Sequence, residues 1–372
     1  MMGSSYPKPA FESYIYNKSV KRGEDITLSL KTNVDYVEVR WSKDGQTLYS
    51  GGRVEISKSG TDLTLKIRNA REEDEGKYTV RISYGGDSAS DSANITMLEY
   101  DRDWRRVDWR QNDVIKNKLL SLSCEHLGVK QVRLLLHGPV GSGKSSLINS
   151  INSVFLGRVA IGALAESSAS TSFTTHYKTY QIRDRRGRPL PFVFNDIMGL
   201  ESRYDEGVHP HDIVYAIKGH IKDNYRFNPV CPLSSTHPHY NSSPSLSDKV
   251  HCLISVVAGD KISLMDGQII QKMREIRMHA SELGIPQVVF MTHVDMACSL
   301  VHYDLKHVYS SKSIRKKMQE CSVKLGVPLN CIYPIKNYHE ENRLDNRLDS
   351  LILDALTNAV NFAFDFVSFL DM

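Results

Sequence analysis

Residues Gly138 to Ser145 combine the glycines, the lysine and the serine that binding of a nucleotide phosphate requires. They read Gly-Pro-Val-Gly-Ser-Gly-Lys-Ser, a complete G-x-x-x-x-G-K-S sequence. Glycines let successive backbone N–H groups turn toward phosphate oxygens, in backbone angles that a β carbon would obstruct. The lysine supplies a positive charge, and the last serine supplies a hydroxyl ligand for Mg²⁺. The sequence therefore predicts a site for the β- and γ-phosphates of a nucleotide.

The segments on either side of this loop are the ones that a phosphate loop needs. Residues 132–137 are an apolar run typical of a buried strand, and residues 144–155 have the spacing of a helix. The positive end of that helix would face the phosphates. The predicted nucleotide contacts here are Gly138, Pro139, Val140, Gly141, Ser142, Gly143, Lys144, Ser145 and Ser146.

An acidic residue follows the second apolar run of this part of the chain. Residues 190–195 end in Asp196-Ile197-Met198-Gly199, a D-x-x-G sequence about fifty residues after the lysine of the loop. Asp196 at the end of a strand could hold Mg²⁺ together with Ser145, and the Gly199 amide could contact the γ-phosphate. The sequence predicts that these residues surround the metal.

A hydroxyl-rich segment, residues 165–175, lies between these two motifs. In this position guanine-nucleotide switches place a loop whose threonine closes on Mg²⁺ and the γ-phosphate. Thr171, Thr174 and Thr175 are alternatives for that threonine, and we take Thr174 as the metal ligand. The predicted catalytic residues are Lys144, Thr174 and Glu201.

A third group of residues could read the base. Thr292-His293-Val294-Asp295 follows an apolar run, where guanine-specific folds carry N/T-K-x-D. The aspartate of that sequence accepts hydrogen bonds from N1–H and the exocyclic amine of guanine, which adenine does not offer. His293 replaces the lysine, and its imidazole could stack on the base instead. With Lys336 and Asn337 after the last predicted strand, these residues favour guanine over adenine.

Composition limits the classes of function. At 372 residues the chain is expected to form two domains, and its net charge of +4 comes from scattered basic residues, so no nucleic-acid partner is indicated. No stretch is expected to span a membrane. Six cysteines without metal-ligand spacing predict free thiols in a reducing compartment, and hence a cytoplasmic protein. Five histidines show no convergent spacing for zinc: His209, His211, His220, His237 and His239.

The first hundred residues predict a β-sandwich. Four short segments alternate apolar and polar residues, as strands with one buried face do: residues 26–30, 37–41, 63–67 and 78–82. Trp41 and the sequence Asp74-Glu75-Gly76-Lys77-Tyr78 resemble the core tryptophan and the tyrosine corner of an intermediate-set immunoglobulin domain. Leu30 and Val80 stand where that family usually carries its two cysteines.

The predicted organisation has four parts. Residues 1–7 are a tail, residues 8–100 an immunoglobulin-like domain, residues 101–122 a tryptophan-bearing junction that packs on a domain, and residues 123–372 an α/β P-loop NTPase domain of GTPase type. A Ser/Pro/His-rich stretch, about residues 223–248, is expected to be a mobile insertion. The helices expected in the last part include residues 212–222, 267–283, 312–325 and 346–370, the last of them packed against the sheet.

Several segments together resemble the interferon-induced protein 44 and 44-like family. They are residues 133–146, the junction with its tryptophans, residues 195–200 and residues 334–338. The resemblance covers about residues 103–372 and implies a cytoplasmic GTP-binding protein of the innate antiviral response. The immunoglobulin-like domain departs from the best-known members, so no partner is carried over from them.

Two interpretations of function stay open. In the first, GTP and Mg²⁺ order residues 171–175 and 196–201 as a switch, with slow or partner-stimulated hydrolysis. Hydrolysis is expected to be slow because Leu200 occupies the place where Ras-like proteins carry a water-orienting glutamine, although Glu201 could substitute. In the second, the chain is a non-hydrolysing interaction scaffold, in which the immunoglobulin-like domain binds a protein partner and the nucleotide is structural. Either interpretation predicts a guanine nucleotide and either a protein partner or self-association through one of the domains.

Overall fold

The structure, a computed structural model, describes residues 7–97, 103–123, 125, 128–160, 175–203 and 205–370. The chain divides into two compact units, Met1–Asp101 and Arg102–Met372. The first unit contains strands and one short 3-10 helix, whereas the second combines a sheet with helices. Each unit has its own hydrophobic core.

The first unit is a sandwich of two sheets. One sheet has the strand order β1-β8-β7-β3-β4 and the other the order β2-β6-β5. All pairs are antiparallel except β1 with β8. The strands are β1 (Lys18–Val20), β2 (Ile26–Lys31), β3 (Glu38–Lys43), β4 (Gln46–Thr47), β5 (Val54–Ser59), β6 (Asp62–Ile67), β7 (Gly76–Tyr84) and β8 (Asp87–Met97).

The core of the sandwich forms around the residues that the sequence singled out. Trp41 is buried, and the hydroxyl of Tyr78 donates a hydrogen bond of 2.7 Å to the carbonyl of Asp74, which closes the expected tyrosine corner. Leu30 and Val80 are both buried among the core residues. Branched apolar side chains therefore fill the space where a disulfide would otherwise lie.

The second unit is built on a six-stranded mixed sheet with the order β10-β11-β9-β12-β13-β14. β10 runs antiparallel to β11, and every other pair is parallel. The strands are β9 (Val132–His137), β10 (Lys178–Arg183), β11 (Pro189–Asp196), β12 (Cys252–Ala258), β13 (Gln287–Thr292) and β14 (Ile332–Pro334). Because parallel strands end at the same edge of a sheet, the segments that follow β9, β11, β12, β13 and β14 are gathered there.

Eight helices belong to the described part of this unit. They are α1 (Asn112–Leu120), α2 (Lys144–Leu156), α3 (Pro210–Ile217), α4 (Gly267–Glu282), α5 (Val294–Ala297), α6 (Ser299–Tyr303), α7 (Lys312–Leu325) and α8 (Asn346–Phe369). α8 contacts β9, β12, β13 and β14, while α1 and α2 pack against α8 in turn. The apolar face of α8, with its period of three to four residues, thus covers the central strands.

The tryptophan-bearing junction packs on the second unit. Trp104 donates its backbone N–H to the carbonyl of Tyr309 and lies edge-on to that ring, with centroids 5.8 Å apart. The guanidinium of Arg105 donates to the carbonyls of Ile332, at 2.7 Å, and Leu329, at 3.0 Å. The planar fork of arginine suits two carbonyls at once. The segment is fixed to the domain by these contacts, as two neighbouring tryptophans predicted.

Residues 223–248 have little regular secondary structure, but several of their side chains belong to the core. This differs from the expectation that the segment is a mobile insertion. Tyr225, Phe227 and Leu233 are buried in the hydrophobic cluster of the second unit. The carboxylate of Asp212, on α3, accepts hydrogen bonds from the Leu233 amide, at 2.7 Å, and the Tyr225 hydroxyl, at 3.2 Å. α3 itself is shorter than expected and starts earlier, because Pro210 occupies its first turn and Gly219, with φ +81°, follows its end.

The five histidines considered for zinc lie against other aromatic rings, imidazoles included: His209, His211, His220, His237 and His239. His220 stacks on Tyr240 with the planes 5° apart, and His237 lies edge-on to Tyr225. Among the residues that the structure describes, no group of three or more His, Cys, Asp or Glu side chains could hold a metal ion.

Asp212 is expected to make stability depend on pH. Burial raises the pKa of its carboxyl to about 6, from a usual value of 3.8. At a pH between these two pKa values, the folded protein holds a proton that the unfolded chain releases. The free energy of unfolding should therefore fall as pH rises from about 4 to 6, by up to about 3 kcal/mol. In Asp212→Asn this contribution is absent. Denaturant unfolding of both proteins across this range checks it, and parallel pH curves would contradict the assignment.

α8 is the one described helix that is long and apolar enough to cross a membrane, judged by length and composition alone. Its most apolar window has a mean hydropathy of 1.3, although no stretch was expected to be apolar enough to span a membrane. However, 56% of that window is buried inside the domain, against the sheet. The helix is apolar on several sides because it is enclosed by strands and by other helices.

Candidate functional site at the carboxyl edge of the sheet

The G-x-x-x-x-G-K-S loop connects β9 to α2 and depends on its glycines. Three of its glycines have positive φ angles that residues other than glycine rarely adopt: +147° at Gly138, +72° at Gly141 and +85° at Gly143. A β carbon on Gly138 would lie 2.1 Å from the carbonyl oxygen of Val256, on β12. The first glycine therefore lets the loop pass directly against the neighbouring strand.

Lys144 lies folded inside this loop. Its ammonium donates hydrogen bonds to the carbonyls of Pro139, at 3.0 Å, and Gly138, at 3.2 Å. Only 7% of the residue is exposed, and burial lowers the pKa of its amino group to about 8, while Asp196 and Glu201 act in the opposite direction. The lysine is thus held by carbonyls, beside two carboxylates, in a cradle of backbone groups.

Ser145 and Asp196 meet although fifty-one positions separate them in the chain. The Ser145 hydroxyl, in the first turn of α2, donates a hydrogen bond of 2.8 Å to Oδ2 of Asp196, the last residue of β11. Asp196 is buried. A hydroxyl and a carboxylate form a pair of hard oxygen ligands of the kind that Mg²⁺ prefers.

The D-x-x-G segment lies directly on the loop. The Leu200 amide donates to the Gly138 carbonyl, at 3.0 Å, and the Val140 amide donates to the Leu200 carbonyl, at 3.1 Å, so the two segments form a parallel bridge. A β carbon on Gly199 would lie 2.5 Å from Cγ2 of Val140. Leu200 is fully buried. Close packing against the loop, in addition to any ligand contact, accounts for the glycine.

Glu201 continues this segment beside the loop. Burial raises the pKa of its carboxyl, Glu206 raises it further, and Lys144 and Lys272 lower it. Lys272, on α4, donates to the backbone carbonyls of Glu201, at 2.7 Å, and Arg203, at 3.0 Å. The backbone after Gly199 is therefore held from both sides, by the loop and by α4.

Two of the predicted base contacts serve the loop instead of facing open space. The Thr292 hydroxyl, buried at the end of β13, donates to the carbonyl of Ser142 at 2.8 Å. The side-chain amide of Asn337 donates to the carbonyl of Gly143 at 3.0 Å. These bonds fix the second half of the loop to the carboxyl ends of β13 and β14.

The remaining residues predicted to contact the base lie among side chains of opposite charge and a histidine. Oδ2 of Asp295 lies 3.9 Å from Nζ of Lys336, and that ammonium is also paired closely with Glu341. His293 precedes α5, and its Nδ1 lies 3.4 Å from Oδ1 of Asp260. Sequence motifs did not identify Asp260 and Glu341, because neither falls within a recognised spacing.

The threonine expected to close on the metal cannot be placed. Thr171 and Thr174 lie outside the described residues, whereas the Thr175 hydroxyl contacts Nδ1 of His176 at 2.9 Å. Ser146 lies in α2, where its carbonyl accepts a hydrogen bond from the Ser150 hydroxyl. All other predicted site residues are brought to the same edge of the sheet.

Comparison with known proteins finds a family model for the first unit and relatives over a longer stretch of the chain. Residues 9–97 match the model of the Immunoglobulin I-set domain. The chain is 38% identical to Interferon-induced protein 44 of Homo sapiens over 240 residues, which are 64% of this chain and 54% of that protein. It is 33% identical to human Interferon-induced protein 44-like over 240 residues, again 64% of this chain and 53% of that protein.

The resemblance to interferon-induced protein 44 and 44-like is confirmed. The chain spans about half the length of these relatives. The sandwich is also similar to parts of two other proteins. It is 32% identical over 93 residues, 24% of this chain and 1% of that protein, to the Muscle M-line assembly protein unc-89 of Caenorhabditis elegans. The titin M3 domain, at 27% identity, matches 24% of this chain and 96% of its own, with a TM-score of 0.23.

Proposed function

We propose that this chain is a cytoplasmic GTP-binding protein of the interferon-induced antiviral response, with a P-loop NTPase domain of GTPase type. The observation that carries the proposal is the convergence of Lys144, Ser145 and Asp196 at a glycine loop between a buried strand and a helix. The place in an antiviral response rests on the similarity to interferon-induced protein 44.

The phosphates would occupy the cradle that Lys144 fills. Its ammonium now rests on two carbonyls, which are weaker partners than a phosphate oxygen, so a triphosphate can draw it away. The first turn of α2 adds N–H groups and a positive dipole end. Ser145 and Asp196 would hold Mg²⁺, which neutralises phosphate charge when bound. Two protein oxygens suffice, because Mg²⁺ takes its other ligands from phosphates and water.

Asp295 would select the base. Its carboxylate can accept from both N1–H and the 2-amino group of guanine, and adenine offers no matching pair of donors. Lys336 lies within reach of the same carboxylate and is drawn toward Glu341. The strong pairing with Glu341 leaves Asp295 able to exchange a 3.9 Å contact for two hydrogen bonds to guanine.

Hydrolysis is proposed to be slow or to need a partner. Leu200 has no group that could orient water, and its backbone is engaged with the loop. Glu201 lies near Lys144 and could orient water, but its carboxylate would be repelled by the negative charge of the γ-phosphate. Val140 packs closely on Gly199, and its side chain crowds the space through which an arginine inserted by a partner would approach the γ-phosphate.

Nucleotide titration tests the proposal. The full chain is purified, freed of nucleotide, and titrated with GTP, GDP and ATP in Mg²⁺ by calorimetry. We expect GTP to bind more tightly than ATP, and Asp295→Ala to lose about tenfold to a hundredfold in GTP affinity, which is the value of a bidentate base contact. ATP affinity should not change. Asp304→Ala, which removes a half-buried aspartate paired with Arg347, is the matched control. A folded wild type that binds no nucleotide would sink the proposal.

A scaffold with a structural nucleotide is the second candidate, and the bridge at Leu200 favours it. The segment after Gly199 is already fixed by the loop, by Lys272 and by the hydrogen bond from the Val208 amide to the Gly199 carbonyl. Amide hydrogen exchange at Leu200 distinguishes the two. A switch requires protection that differs between the GTP and GDP complexes, because the γ-phosphate would change this contact. Equal protection in the two complexes identifies the scaffold.

A further inference from the structure

An acidic side chain beside the proposed base site belongs to no recognised motif. Asp260 comes two residues after the end of β12, Ala258. Its Oδ1 lies 3.4 Å from Nδ1 of His293. Both atoms are sealed from solvent, and neither makes a hydrogen bond, to the other or to any further residue that the structure describes. A buried carboxylate oxygen and a buried ring nitrogen therefore face each other.

The backbone holds His293 in an unusual conformation. Its φ of 55° and ψ of 34° place it in the left-handed region, which costs a residue with a side chain about 1 kcal/mol or more. The hydrogen bond from the Gly259 amide to the Thr292 carbonyl, at 2.8 Å, joins the segment of Asp260 to that of His293. Such a conformation persists only where the surroundings impose it, so the direction of the ring is set by the fold.

The other nitrogen of the ring faces the loop. Nε2 of His293 lies 3.7 Å from the position that a β carbon on Gly143 would occupy. The side-chain amide of Asn337, three residues after the end of β14, contacts the same glycine. The ring thus stands beside the last glycine before Lys144.

We propose that Asp260 is a positioning residue of the nucleotide site. Its carboxylate accepts the Nδ1 hydrogen of His293 and holds the imidazole beside Gly143 as a flat surface on which a purine base stacks. A carboxylate on one ring nitrogen fixes the tautomer and the orientation of an imidazole. This inference rests on the proposed function. The two residues would then have different roles: stacking on His293 adds affinity for any base, whereas Asp295 selects guanine.

A double-mutant cycle measures this coupling. We expect Asp260→Ala to weaken GTP binding about twofold to tenfold, the value of one hydrogen bond, and to leave binding of inorganic tripolyphosphate unchanged. The ratio of GTP to ATP affinity should also stay the same. His293→Ala should lose at least as much, and Asp260→Ala/His293→Ala no more than His293→Ala alone. Asp113→Ala, whose side chain is 91% exposed beside Lys116, is the control.

The ring nitrogens provide a readout that does not depend on nucleotide. In nitrogen NMR spectra of the nucleotide-free protein, His293 should carry its hydrogen on Nδ1, and Asp260→Ala should abolish this preference. A ring without that hydrogen in the wild type, additive losses in the cycle, or unchanged GTP affinity in Asp260→Ala would each overturn the inference. Failure of the wild type to bind GTP would instead overturn the proposed function, while the NMR result would still test the pair.

Discussion

Lys144→Ala is expected to lose on the order of a hundredfold or more in affinity for GTP, and to lose affinity for GDP as well. The lysine is the one cation that the loop itself supplies, and it lies buried, so its interaction with phosphate would be screened little by water. The carbonyls of Gly138 and Pro139 that it caps would each lose one of two donors, and would keep the amides of Leu200 and Ser142. The measurement is calorimetric titration of the nucleotide-free chain.

Lys324→Ala supplies the control for this result. Lys324, on α7, also caps two backbone carbonyls, those of Ile262 and Ser263. Its ammonium makes the same kind of hydrogen bonds outside the phosphate loop, so the variant reports the general effect of removing a lysine that caps backbone carbonyls. We expect it to bind GTP as the wild type does. Equal GTP affinities in Lys144→Ala and wild type would mean that the loop does not hold phosphate.

Gly138→Ala is expected to destabilise the second unit by about 3 kcal/mol, the upper end of the range found for overpacked cores. The added methyl group would lie 2.1 Å from the Val256 carbonyl oxygen, and that atom belongs to the backbone of a central strand, which cannot move aside. The positive φ of Gly138 adds strain. Denaturant unfolding without nucleotide measures the loss.

Gly141→Ala separates the clash from the strain, because it changes a glycine in the same loop. Its φ is also positive, but nothing lies within 4 Å of the position of its β carbon. We expect a loss of only about 1 kcal/mol for this variant. If the two variants were equally stable, the contact between Gly138 and β12 would not be what fixes the loop.

Local patterns in the sequence predicted the elements well, because each pattern has one strong physical cause. Alternating residues around Trp41 and Tyr78 indicated strands with one buried face, and the similarity at residues 9–97 confirms the immunoglobulin class. The loop at Gly138 and the strand that ends at Asp196 were found from their spacing. Pairing between the Ser145 hydroxyl and Asp196 follows from that spacing once both strands run parallel.

Contacts between distant segments were the part that no pattern revealed. The bridge at Leu200 and the pairs that Asp260 and Glu341 make depend on which loops the sheet brings together. Residues 223–248 were expected to be mobile because their composition is that of a loop, but a few buried aromatic residues are enough to fix an irregular segment. Thr292 and Asn337 do lie at the carboxyl edge of the sheet, as expected, but their side chains bind carbonyls of the phosphate loop instead of facing a base.

The position of α8 along the chain affects how the second unit folds during synthesis. This helix of about 36 Å covers four strands, and all of them precede it in the sequence. A ribosome therefore makes the whole sheet before it makes the helix that shields one set of its apolar side chains. The sandwich, by contrast, has its own core and is complete by residue 97. Nascent chains should thus carry a folded first unit beside an exposed sheet, a state in which chaperones would bind the second unit.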